Sequence, residues 1–171
     1  METYTSDGVK LRGFLIEPPD AANMSDVTIL YLHGTEFNPE TKLPRLMEFA
    51  YIMNCQILIF NYRGYSYSDK AACSEEGIQK DAQAIFGWLM DNNFMVGDQL
   101  YLMGKSFGAA VAVYMATKVA PMYGTSASKT FKGVILESAF TSAEDMYIHK
   151  TKGLIPKTFF SDNQWKTVYS I

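Results

Sequence analysis

Residues 100–110 read Leu-Tyr-Leu-Met-Gly-Lys-Ser-Phe-Gly-Ala-Ala, and they are the most informative part of the chain. The apolar run from Leu100 to Met103 predicts a strand, and the small residues after Gly108 predict a buried helix. Between them, Gly-x-Ser-x-Gly places Ser106 on a tight turn in which a Cβ on Gly104 or Gly108 would collide with the neighbouring strand or helix. We therefore predict a nucleophile elbow, with Ser106 at a helix N-terminus that favours developing negative charge.

The same letters permit a second interpretation, the end of a phosphate-binding loop of the form G-x-x-x-x-G-K-[ST]. That pattern needs a glycine at position 99, where the chain has Gln99, and the four residues after it have the character of a strand. The net charge of −3 also gives no attraction for phosphates. The sequence therefore favours the nucleophile over a nucleotide site.

Outside this stretch, apolar strand-like segments alternate with helix-like segments. The predicted strands span 3–6, 10–16, 27–32, 56–61 and 131–137, and the predicted helices span 43–53, 75–91 and 106 to about 120. Asp7-Gly8 predicts a hairpin between the first two strands. Because the later strands are apolar on both faces, we expect a mainly parallel sheet with helices on both faces. The loops after its strands, at His33-Gly34, Arg63 and Ser106, should share one edge.

The composition of the chain argues against several classes of protein. The 171 residues, 48% of them hydrophobic, fit a single domain over 1–171 with a real core. Cys55 and Cys73 form no disulfide framework, which fits a reducing compartment, and we interpret both as buried or small residues. Two histidines are too few for a histidine-based metal site, so we expect no metal and no cofactor. The chain has no basic patch, which argues against a nucleic-acid partner.

The sequence has neither a membrane-spanning segment nor a signal peptide. No apolar run approaches the roughly 20 residues that span a bilayer, and the N-terminus has no signal-peptide pattern. We expect a protein that is cytoplasmic or peripheral at a membrane.

Five pieces of sequence, the Gly-x-Ser-x-Gly turn among them, carry a resemblance to a known family. They occur in family order and are, by position, 5–11 (Thr-Ser-Asp-Gly-Val-Lys-Leu), 30–34 (Leu-Tyr-Leu-His-Gly), 61–68 (Asn-Tyr-Arg-Gly-Tyr-Ser-Tyr-Ser), 104–108 and 135–142 (Ile-Leu-Glu-Ser-Ala-Phe-Thr-Ser). With them the chain resembles the α/β-hydrolases, in particular the eukaryotic serine-aminopeptidase-like branch that includes protein depalmitoylases and lipid esterases. The resemblance implies an α/β-hydrolase fold and a serine hydrolase that cleaves small acyl esters or thioesters through an acyl-enzyme on Ser106.

The resemblance also assigns roles around the nucleophile. The main-chain N–H groups of Thr35 and Phe107 correspond to the oxyanion hole. His33, with Gly34, corresponds to a loop-shaping residue rather than the catalytic base, because it precedes the nucleophile in the chain. Arg63 and the tyrosine two residues later correspond to structural residues, and a solvated Arg63 packing on that tyrosine and a substrate contact both stay open.

The chain departs from the family at its far end, because the family order is Ser, then Asp or Glu, then His. After Ser106 the only histidine is His149, which the pattern places on a solvated helix in a cap or linker segment, 139–171. The acids that follow Ser106 are Glu137, which ends a strand, Glu144 and Asp145, in the first turn of that helix, and Asp162. We therefore expect a C-terminally truncated fold that lacks its last two strands and turns over poorly.

That departure leaves two alternatives. Without further strands, the strand over 131–137 is an open apolar edge, and such edges tend to pair. Either the chain is part of a longer hydrolase, which we favour, or a partner chain covers the edge. The alternative function is a non-catalytic α/β-hydrolase-like scaffold or complex subunit. The acyl substrate and association with a membrane surface are left open by the sequence.

Overall fold

The computed structural model describes residues 1–35, 39–94 and 99–142, and within them six strands form one sheet in the order β1-β2-β4-β3-β5-β6. β1 and β2 are antiparallel to each other, and β2 is antiparallel to β4. β4, β3, β5 and β6 all run parallel. The strands are β1 Glu2–Tyr4, β2 Lys10–Ile16, β3 Thr28–Leu32, β4 Gln56–Phe60, β5 Leu100–Lys105 and β6 Gly133–Glu137. The sheet is therefore mixed but mainly parallel, as predicted.

Three longer helices connect the parallel strands. They are α1 Leu43–Met53, α2 Glu75–Asp91 and α3 Phe107–Tyr114, and α3 continues through a π-helical turn, Met115–Val119, into Ala120–Met122. α2 begins where expected because the Ser74 hydroxyl accepts a hydrogen bond from the Gly77 N–H at 3.1 Å. Short helical segments cover Ala21–Asn23, Pro39–Lys42 and Ala127–Thr130.

Both faces of the sheet are covered, as the apolar strands predicted. On one face, α2 and α3 pack on the sheet around Leu30, Leu58 and Leu102. On the other face, Leu46 and Ala50 of α1 pack on alternate residues of the same strands. These alternate residues are Ile29, Tyr31, Ile57 and Ile59. The central parallel strands β3 and β4 thus bury both of their faces, which is why their sequences show continuous apolar runs.

The structure shifts several predicted element ends. β1 lies at Glu2–Tyr4 rather than at 3–6, because Thr5 and Val9 already close the hairpin turn. β6 starts at Gly133, since Phe131 is the cap of the preceding short helix. The helix expected to stop at about 120 runs through Pro121 to Met122. The π-helical turn just before Pro121 widens the helix and accommodates a residue that has no N–H to donate.

The predicted cap or linker segment, 139–171, is only partly within the described residues. Residues 139–142 form no helix or strand, and 143–171 lie outside the described residues. Within the described parts of the chain, no helix is both long enough and apolar enough to cross a membrane.

The register of the parallel strands brings the predicted loops to one edge. Leu32 at the end of β3 pairs with Gly104 of β5, and Lys105 pairs with Glu137 of β6. The loop after β3 and the turn after β5 therefore leave the sheet side by side.

Candidate active site

Ser106 forms the whole connection between β5 and α3. Its backbone has φ 51° and ψ −113°, a left-handed conformation that side-chain-bearing residues rarely adopt. The Ser106 N–H donates to the Glu137 carbonyl at 2.8 Å, and the Ser106 carbonyl accepts from the Ala109 N–H at 3.0 Å. The hydroxyl caps no helical N–H. Main-chain hydrogen bonds to β6 and to α3 thus hold the strained residue in place.

Two glycines allow this turn because no side chain fits at either position. A Cβ on Gly108 would lie 1.9 Å from the carbonyl oxygen of Leu32, at the end of β3. A Cβ on Gly104 would lie 2.4 Å from the carbonyl oxygen of Gly108 and 2.6 Å from the Cα of Ala109. The first turn of α3 therefore lies directly against the ends of β3 and β5, and main-chain atoms form both contacts.

His33 lies in the loop after β3 and is fully buried. Its Nδ1 lies 2.6 Å from the Gly34 carbonyl oxygen, and the Tyr62 N–H lies 3.5 Å from its Nε2. The ring also contacts the rings of Tyr62 and Tyr65, with centroids 4.3 and 5.0 Å away. Burial raises the pKa of the Tyr62 hydroxyl well above its ordinary value, so Tyr62 stays protonated. Both nitrogens of His33 therefore face main-chain groups of the loops.

Arg63 is not solvated, so that interpretation of the sequence is wrong. Its side chain is 5% exposed, and its Nε donates to Asp81 at 2.8 Å. The Arg63 main-chain N–H also donates to Asp81, and the two terminal nitrogens donate to the two oxygens of Asp7 at 2.9 Å each. Arg63 therefore joins the β1–β2 turn, the loop after β4 and α2.

The carboxylates of Asp7 and Asp81, the two partners of Arg63, have pKa values that are shifted in opposite directions. The hydrogen bonds from Arg63, and then that from Thr5, hold the pKa of Asp7 far below its usual range. Burial raises the pKa of Asp81, and the hydrogen bonds from Arg63 oppose that rise. Neither partner of Arg63 was identified from the sequence. The sequence did contain an indication that Asp81 has a buried partner. It is a charged residue between Ile78 and Ala82, on the apolar stripe that α2 buries.

Glu137, the acid that ends β6, pairs with the residue before the candidate nucleophile. Its carboxylate lies 3.4 Å from the Lys105 ammonium. A cavity of about 260 Å³ opens beside this pair, against α1. Its lining residues are Tyr31, Lys42, Arg45, Leu46, Glu48, Phe49, Ile52, Met103, Lys105 and Glu137. Because Ser106 and Phe107 are not among them, we do not assign the cavity to the reaction.

Comparisons with known proteins identify relatives of this fold. No family model matches the chain. The chain is 30% identical to the protein bem46 of Schizosaccharomyces pombe over 85% of its own length, and 29% identical to the alpha/beta hydrolase domain-containing protein WAV2 of Arabidopsis thaliana over 98%. An esterase of Pyrococcus furiosus superposes on 94% of the chain with a TM-score of 0.66 and 25% identity. The chain belongs to the α/β-hydrolases.

This α/β-hydrolase chain spans about half the length of the curated relatives it matches. It covers 46% of bem46, 54% of WAV2 and 57% of the Pyrococcus esterase chain.

The structure of this α/β-hydrolase chain brings together some of the predicted site residues and leaves others undescribed. Gly34 and Thr35 follow β3, and Gly104, Ser106, Phe107 and Gly108 surround the turn between β5 and α3. Residues His149, Glu144, Asp145 and Asp162 lie outside the described residues. Within the described ranges, no cluster of three His, Cys, Asp or Glu side chains could hold a metal ion.

Proposed function

We propose that the chain carries the nucleophile and the oxyanion hole of a serine hydrolase that cleaves carboxylic esters or thioesters. The observation that carries the proposal is the strained Ser106, held between a parallel strand and a helix N-terminus at the carboxyl edge of the sheet. This is the position in which a serine hydroxyl stands clear of the sheet and beside free helical N–H donors. The Pyrococcus esterase of similar fold supports the choice of ester chemistry.

In the proposed reaction, the Ser106 oxygen attacks the acyl carbon of the substrate and loses its proton to a general base. The tetrahedral oxyanion that forms is stabilised by the main-chain N–H groups of Thr35 and Phe107, and one such donor contributes about 3 kcal/mol. The alcohol or thiol then leaves with a proton, and the acyl group stays on Ser106. Water hydrolyses this acyl-enzyme and restores the hydroxyl.

Fluorophosphonate labelling of the native protein, isolated from its source, tests the proposal. We expect label on Ser106, and we expect Ser106→Ala to abolish it. Ser138→Ala is a matched control, because Ser138 also follows a parallel strand at the same edge and also has a positive φ of 53°. Label that persists in Ser106→Ala would refute the assignment of Ser106 as the nucleophile.

The alternative is a non-catalytic scaffold or complex subunit. Val134 and Ile135 of β6 favour it, because they are 40% and 44% exposed on the last strand of the described sheet. An unlabelled native protein that purifies in a stable complex would support this alternative. Binding of a partner chain along β6 stays a prediction, and the sequence leaves association with a membrane surface open.

A further inference from the structure

Another cavity, of about 490 Å³, opens at the edge of the sheet opposite to Ser106. Thr28 and Gln56 are the first residues of β3 and β4, and Gln99 immediately precedes β5. The cavity therefore lies where the parallel strands begin, whereas the candidate nucleophile lies where they end. Its volume is in the range of sites for small organic molecules. We call this cavity, which Thr28, Gln56, Gln99 and their neighbours line, the amino-edge cleft.

The described lining of the amino-edge cleft is polar but almost uncharged. Asp26 is the only charged side chain among the described residues that line it, and carboxamides and hydroxyls supply most of the remaining lining. α2 also ends here, at Asp91, and its cap residue Asn92 lines the cleft. Because a helix C-terminus carries partial negative charge, the carboxylate and the helix end together disfavour an anionic ligand.

Several polar side chains of the cleft have no hydrogen-bond partner among the residues that the structure describes. These side chains are Asp26, Thr28, Gln56, Asn93 and Gln99. Thr28 is the clearest case, because it is only 5% exposed and buried hydroxyls are usually hydrogen-bonded. Main-chain pairing holds these residues in place, since the Thr28 N–H donates to the Gln99 carbonyl at 3.0 Å and Thr28 pairs with Gln56 across β3 and β4. The strand starts thus present unused donors and acceptors to one space.

An aromatic ring supplies an apolar part of this polar cleft. Phe94 lines the cleft and stacks on Trp88, with ring centroids 5.3 Å apart and planes inclined by 22°. Trp88 in turn packs edge-on against Phe60 of β4, so that the core of the domain fixes the position of Phe94. The face of such a ring is electron-rich and attracts C–H groups that carry partial positive charge.

These features together favour one class of ligand. A sugar hydroxyl both donates and accepts hydrogen bonds, and a carboxamide side chain also offers a donor and an acceptor. One face of a sugar ring presents C–H groups, and a neutral sugar has no charge for Asp26 to repel. We propose that the amino-edge cleft binds an uncharged saccharide of one or two rings, whose hydroxyls bind Thr28, Gln56 and Gln99. The C–H face of the sugar packs on Phe94.

A titration of the native protein with neutral sugars, followed by saturation-transfer NMR, tests the proposal. The panel is glucose, galactose, mannose, maltose and lactose, each compared with its 6-phosphate, and adenosine. We expect at least one neutral sugar to bind with a dissociation constant below about 10 mM, and its 6-phosphate to bind at least about tenfold more weakly. No binding by any neutral sugar in this range, equal binding of the phosphates, or binding of adenosine alone would overturn the proposal.

Two glutamine substitutions test whether the sugar lies in the amino-edge cleft. Gln56→Met and Gln99→Met keep a side chain of similar length but remove its hydrogen-bonding groups, and we expect each to weaken binding about tenfold. The matched control is Gln79→Met in α2, where the carboxamide donates to Glu75 and does not line the cleft. The control should leave the affinity unchanged. Equal affinity in all three variants would mean that the sugar binds elsewhere, and the proposal would fail.

Thr28→Val separates a role in binding from a role in stability. Valine has nearly the shape of threonine, and the hydroxyl that it removes has no partner within the described part of the chain. We therefore expect the urea midpoint of the unliganded protein to stay the same or rise, while the sugar affinity falls about tenfold. A lower midpoint, or an unchanged affinity, would overturn the role of this hydroxyl. The outcome is independent of the proposed function, because the two sites share no residue.

Discussion

At the scale of single residues, the site depends on main-chain atoms that approach each other more closely than side chains allow. Gly108 lies on the carbonyl of Leu32, and Gly104 lies on the first turn of α3. Backbone atoms cannot rotate away as a flexible side chain can, so a methyl group at either position must displace the helix or the strand. The close approach in turn leaves Ser106 as the only residue between β5 and α3.

We predict that Gly108→Ala lowers the free energy of unfolding by about 3 kcal/mol or more, because its methyl group would lie 1.9 Å from the Leu32 carbonyl oxygen. The control is Gly87→Ala in α2, where the nearest atom is the Tyr123 hydroxyl at 3.2 Å, at the end of a partly exposed side chain. Alanine in a helix gains up to about 1 kcal/mol over glycine, so Gly87→Ala should be neutral or stabilising. Urea unfolding measures both. Similar stabilities for the two variants would contradict the prediction.

At the scale of elements, the position of a strand in the sheet determines how well its main-chain amides are protected from solvent. β3 lies between β4 and β5, and all five of its residues are buried. β6 pairs with β5 on one side, and it is the last strand of the described sheet. A strand of this kind presents unpaired N–H groups along its outer side.

We predict that main-chain amides of β3 exchange with solvent far more slowly than the outward-facing amides of β6, by at least about a hundredfold. The physical reason is that β3 opens only when the sheet unfolds, whereas an edge strand exposes its outer N–H groups locally. Hydrogen exchange followed by mass spectrometry or NMR measures the difference. Equal protection of β3 and β6 would show that another strand covers this edge, from this chain or from a partner.

At the scale of the whole molecule, one buried cation connects three parts of the chain that are distant in sequence. Arg63, in the loop after β4, pairs with Asp7 in the first hairpin turn and with Asp81 in α2. Removing one partner of a buried ion pair is costly because the other charge stays buried without compensation. The network therefore joins the antiparallel end of the sheet to the helical layer.

We predict that Asp7 makes stability depend on pH in the acid range. Hydrogen bonds from Arg63 lower the pKa of Asp7 in the folded state, whereas in the unfolded chain it is about 3.9. As the pH falls through about 4, the unfolded state binds the proton first, so the stabilisation present at neutral pH is lost. The difference in unfolding free energy between wild type and Asp7→Asn should be constant above about pH 5 and shrink below about pH 4. A difference that does not change with pH would contradict this.

The order of elements could be predicted because it depends on local patterns. Buried strands need apolar side chains, which gives the apolar runs of β3, β4 and β5. The first turn of α2 needs a hydrogen-bond acceptor, which Ser74 supplies. The surroundings of Arg63 could not be predicted, because its partners lie 56 and 18 residues away in the chain. Nothing local distinguishes a solvated arginine from a buried one, since the difference lies in charges supplied by other elements.

Local sequence patterns were enough to predict the alternation of strands and helices, the α/β class and the candidate nucleophile on its Gly-x-Ser-x-Gly turn. These follow from periodicity and from the steric needs of glycine, which neighbouring residues carry. The folded chain was needed to show that His33 contacts the Gly34 carbonyl, that Arg63 is buried between two aspartates and that α3 lies directly on the end of β3. Those features depend on strand register and on the packing of helices across the sheet, which bring together atoms that no local pattern relates.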